Sequence, residues 1–114
     1  MSTARKQPDM HHGPIYKEVS DIIVQMNQLI LELSKNKDIP TLQSKIDQGA
    51  KDLMTIVSAN HTTLFKTESY IKNAIIDLTE VPYMQPQMQR IAFEVAIRAA
   101  IKNLESFLAS TPHI

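Results

Sequence analysis

Residues 57–66, VSANHTTLFK, hold the choice between two folds. Asn60, His61, Thr62 and Thr63 are mediocre helix formers and good cap or turn residues, yet none breaks a helix as Pro does. A helix that ends here leaves Thr62 or Thr63 to cap a third helix carrying Leu64, Phe65, Ile71, Ala74, Ile75 and Leu78. A helix that continues keeps Val57, Asn60, Leu64, Thr67, Ile71, Ala74 and Leu78 on one seam at spacings of 3 and 4. That would be a rod of about 40 residues and about 60 Å, which the rest of so short a chain could not cover without a second copy. The expected fold is therefore all-α, an antiparallel up-and-down four-helix bundle, with a dimeric three-helix chain built on a long middle helix as the runner-up. The four helices are expected at about 14–35, 39–60, 62–80 and 86–110.

Upstream, Ile15, Val19, Ile22, Met26, Leu29 and Leu33 are spaced 4, 3, 4, 3, 4, the seam of a packed helix. Pro14 suits its first turn, where the missing N–H is not needed. Tyr16, Ile23 and Ile30 widen the apolar stripe, and Lys35 and Lys37 suit its carbonyl end. Asp38 or Thr41 offers a cap for a second helix in which Leu42, Ile46, Gly49 or Ala50, Leu53 and Ile56 or Val57 keep the helical spacing. Gly49 within it marks either an exposed imperfection or the close approach of another helix. Residues 1–13, MSTARKQPDMHHG, have too little apolar surface to order themselves and are expected to be a disordered tail, leaving 14–114 as a single helical domain.

Downstream, Pro82 and Pro86 end what precedes them, and Pro86 opens the last helix. Arg90, Glu94, Arg98 and Lys102 recur every fourth residue on one narrow stripe. Ile91, Ala92, Phe93, Val95, Ala96, Ile97, Ala99, Ala100 and Ile101 fill the rest of the circumference, and Leu104, Phe107 and Leu108 extend it. Such a helix is apolar over a wider arc than one core demands.

Composition removes whole classes of function. The 114 residues carry 12 Lys+Arg against 12 Asp+Glu, so the electrostatic footprint of a nucleic-acid or anionic-membrane binder is missing. There is no Cys for a disulfide, thiolate zinc site or thiol nucleophile, which suits a reducing, cytoplasmic setting. Two glycines leave no phosphate-cradling loop, and no Walker, Rossmann, G-x-S-x-G or H-E-x-x-H motif occurs. The longest uncharged run in the first helix, Ile22 to Leu31, is too short and too polar to span a bilayer, and no apolar run near the N-terminus reads as a secretory signal.

Chemistry-bearing residues are few. His11 and His12 neighbour each other in the tail, where a weakly held ion would lack the oriented ligands a metal site needs. His61 is the candidate for phosphotransfer in a four-helix domain, but such domains place Lys three positions after the His, whereas Thr62, Thr63, Leu64 and Phe65 follow here and Lys66 comes five positions on. No Glu-x-x-His pair exists for a carboxylate-bridged metal. No catalytic, metal or cofactor site is expected.

What remains is surplus apolar surface. Val24 and Leu31 lie opposite the main seam of the first helix, and the last helix has more apolar arc than it needs. Most of the methionines sit on helical stripes as core fillers, with Met84 and Met88 at the Pro-rich turn the exceptions. The expected working surface is therefore Met84, Met88, Phe93, Ile97 and Ile101, with Val24 and Leu31; the competing reading makes the last-helix residues ordinary intramolecular core. The expected activity is binding another protein, as a small inhibitor or adaptor that forms a homodimer when alone; the alternatives are a phosphotransfer four-helix domain using His61 and a structural or assembly subunit.

Overall fold

The computed structural model describes residues 13–35, 38–60, 64–81 and 85–110. Among them are four α-helices: α1 (Gly13–Ser34), α2 (Ile39–Ala59), α3 (Glu68–Thr79) and α4 (Pro86–Ser110), with a 3-10 turn at Phe65–Thr67 leading into α3. The helices pack in ring order, α1 on α2, α2 on α3, α3 on α4 and α4 back on α1, so the fold is an all-α four-helix bundle. Its core is one cluster in which the seam of α1 meets Leu42, Ile46 and Leu53 of α2, Ile71 and Leu78 of α3, and Phe93, Ile97, Leu104 and Phe107 of α4.

Local chemistry sets the helix ends. Asp38 caps α2 by accepting the Thr41 N–H at 3.1 Å, and Pro40 sits in the first turn. At the other end Asn60 closes the helix, its backbone N–H donating to the Val57 carbonyl and its side-chain nitrogen to the Ile56 carbonyl at 2.7 Å. The Leu64 N–H then reaches back to the Asn60 carbonyl at 2.8 Å. The continuous middle helix is thereby corrected: α2 stops at Ala59 and Asn60 leaves the helix, while α3 follows the 3-10 turn from Glu68; Leu64 before that turn is helical, and the expected start at 62 lies outside the described residues. The proposed caps Thr62 and Thr63 lie outside the described residues, and Thr67, the residue before α3, makes no side-chain cap bond.

Interhelical pairs give the register. On α1 and α2, Lys45 Nζ lies 2.9 Å from Glu32 Oε1, while the Cβ a side chain at 49 would carry lies 2.7 Å from Met26 Cε. Numbers fall along α1 as they rise along α2, the signature of an antiparallel pair. Gly49 is therefore a packing glycine, buried where the Met26 side chain crosses α2. The same Gly49 position lies 4.0 Å from Leu78 Cδ1, so the last turn of α3 reaches only the middle of α2.

The α4 side agrees. Asn103 Nδ2 donates to Asp77 Oδ2 at 2.7 Å, and α3 ends two residues later, at Thr79. Before it reaches Asn103, α4 has already run ~25 Å from Pro86. At 12 residues, α3 is about half the length of α1, α2 and α4, which have 22, 21 and 25. The half of the bundle that holds the α1–α2 connection is thus built from three full helices, and roughly the first 20 Å of α4 has no α3 beside it.

A candidate docking groove where α3 stops short

The shortness of α3 exposes apolar surface on α4. Ile91 and Val95 are 58% and 63% exposed, and Met88 is also open to solvent. These three form one wall of a groove of ≈ 490 Å³. Ala92, Ala96 and Ala99, on the flank of α4 that turns toward α3, make its floor low, and Ile76 with Val81 closes the end nearest α3. Ile76 is half exposed for the same reason, since it sits on the last turn of a helix that ends beside the groove.

The groove has one charged lip. Asp77 and Glu80 both line it, and the last turn of α3 contains no basic residue to offset them or the partial negative charge of the helix end. On the opposite rim Glu94 is neutralised by Arg98, whose Nε donates to its Oε2 at 2.9 Å. The groove is therefore apolar along its length and negative at the α3 end.

A second exposed apolar feature lies on α1. Val24 is 66% exposed and Leu31 about half, seven residues apart on the outward ridge, with Lys35 one turn beyond Leu31. The neighbouring cleft between α1 and α2 is lined by Gln25, Gln28, Lys45 and Gln48 along with Val24 and is more polar in character. Among the described residues no three or more His, Asp or Glu side chains come together as a metal site. No described helix is long and apolar enough to cross a membrane.

The expected surface residues divide. Met88, Val24 and Leu31 are exposed, whereas Met84 and His61, like His11 and His12, lie outside the described residues. Phe93 and Ile97, at 0% exposure, and Ile101, nearly buried, require correction: they are core, because they lie on the α4 stripe that meets α1, α2 and α3. Met54, expected among the core methionines, is exposed. The residues missed as surface were Ile91, Val95 and Ile76. Their signal was present in part, since Ile91 is seven positions before Arg98 and Val95 seven before Lys102, which places both beside the polar stripe. The chain matches no family model, no curated protein and no solved structure.

Proposed function

We propose that this chain is a non-enzymatic protein-binding module, a small regulator of the inhibitor or adaptor kind, that takes an apolar helical segment of another protein into the groove between α4 and the end of α3. The observation that carries it is the exposure of Ile91 and Val95, two branched apolar side chains, on a helix whose flanking neighbour stops halfway. Laying an amphipathic helix against this groove buries its i, i+3, i+4 anchors on Ile91 and Val95. A cytoplasmic setting, which the lack of cysteine suits, goes with this reading.

Site-specific photocrosslinking in native extract tests it. A photoreactive side chain at Ile91 is expected to trap a partner, one at the exposed Glu105 on the charged half of α4 is not, and Val95→Asp is expected to abolish the adduct while leaving the melting temperature within a few degrees. Equal trapping at both positions, or an adduct indifferent to Val95→Asp, overturns the assignment of the groove.

A further inference from the structure

Resting on that reading of the groove, we propose that in the absence of another partner its occupant is the outward ridge of α1 from a second copy of this chain. The two surfaces match in shape and charge. Val24 to Lys35, just past the end of α1, and Met88 to Ala99 of α4 each cover 11 helical steps, so ridge and groove share a length of ~16 Å. Seated with Lys35 beside Glu80 at the α3 end, the ridge places Leu31 near Val95 and the low alanine floor, and Val24 near Met88. The ammonium then meets the lip formed by Asp77, Glu80 and the uncompensated end of α3, while the opposite rim is already neutral through Glu94 and Arg98. Neither Lys35 nor Glu80 has a side-chain ion pair or hydrogen bond among the described residues.

The contact is head-to-tail. α1 and α3 occupy opposite corners of the ring, so the α1 ridge and the α3–α4 groove face different sides, and one neighbour cannot cover both. Each added copy leaves one ridge and one groove free, which is the geometry of an open chain rather than a closed pair. A foreign helix that enters the groove displaces the ridge, so self-association and partner binding compete for one surface.

The experiment is light scattering and sedimentation of the full chain across micromolar concentrations. The wild type is expected to gain mass continuously with concentration, and Val24→Asp and Val95→Asp each to hold at one chain. Their equimolar mixture is expected to form two-chain species and go no further, because the intact groove of one accepts the intact ridge of the other and both remaining surfaces are blocked. Lys35→Glu and Glu80→Lys, which spare the apolar side chains, are each expected to weaken association about tenfold, and the double variant to restore it. A wild type that stays at one chain, or a mixture that stays at one chain, overturns the proposal. So does a double variant no better than its parents. If Val95→Asp blocks association and Val24→Asp does not, the groove is a docking site for something other than the α1 ridge, and only the present inference falls. Indifference to both variants removes the groove from self-association altogether.

Discussion

Gly49 and the Glu32–Lys45 pair show how single positions hold the α1–α2 interface. A methyl group at 49 would meet Met26 Cε at 2.7 Å, too close to stand but against the far end of a flexible side chain that can move aside. Gly49→Ala is therefore expected to shift stability by less than about 1 kcal/mol, the gain in helix propensity of roughly 1 kcal/mol being offset by displacement of the Met26 methyl. Gly49→Leu has no such escape and is expected to cost about 2–3 kcal/mol through overpacking; urea titration of both variants measures the contrast. The carboxylate of Glu32 is nearly buried and takes both its oxygens to Lys45 Nζ, at 2.9 and 3.0 Å. Lys45→Ala removes both of these bonds from a nearly buried carboxylate and is expected to cost about 1–2 kcal/mol. Lys17→Ala, which breaks a pair exposed on both sides, is expected to cost no more than about 0.5 kcal/mol. The same titrations report both, and equal losses would show that burial of Glu32 does not matter.

At the scale of the helix, α4 separates what sequence periodicity can and cannot tell. The stripe Phe93, Ile97, Leu104 and Phe107 is fully buried, while Val95, between the first two, faces solvent. Ile97→Asp is expected to abolish cooperative unfolding, since an uncompensated charge enters the core, and Val95→Asp to leave the thermal midpoint within a few degrees. Circular dichroism at 222 nm during heating reads both. In α1 the 4, 3, 4, 3, 4 seam was legible because polar residues frame it, and all six of its members are buried. In α4 the apolar residues nearly encircle the helix, so the pattern holds no contrast to say which side is inside, and Phe93, Ile97 and Ile101 could be taken for surface. The end of α2 was ambiguous for a related reason. Asn60 stops the helix through hydrogen bonds to the Ile56 and Val57 carbonyls rather than by steric exclusion, and such bonds compete with the helix without forbidding it. The end of α3 near 80 was legible from Pro82, but how far along α4 that end reaches was not, since where one helix stops against another is a matter of register between distant segments.

For the whole molecule, a bundle with four helices at one end and three at the other should open unevenly. The Leu104 and Phe107 region of α4 is buried in the four-helix half, whereas Met88 and Ile91 lie where α3 does not reach. Amide hydrogen exchange is expected to be faster at residues 90–95 than at 102–107 by about a hundredfold or more, because the first group needs only a sub-global opening; uniform protection along α4 would mean that the two halves unfold as one unit. The ring order has a further consequence. With α1 and α4 adjacent and antiparallel, the start of α1 and the end of α4 come out at the same pole, the one remote from the groove. The chain is thus a closed circuit in all but one link: joining Ser110 to Gly13 by a short linker and cutting at the 35–38 connection would give a circularly permuted protein with every helix, and the groove itself, unchanged.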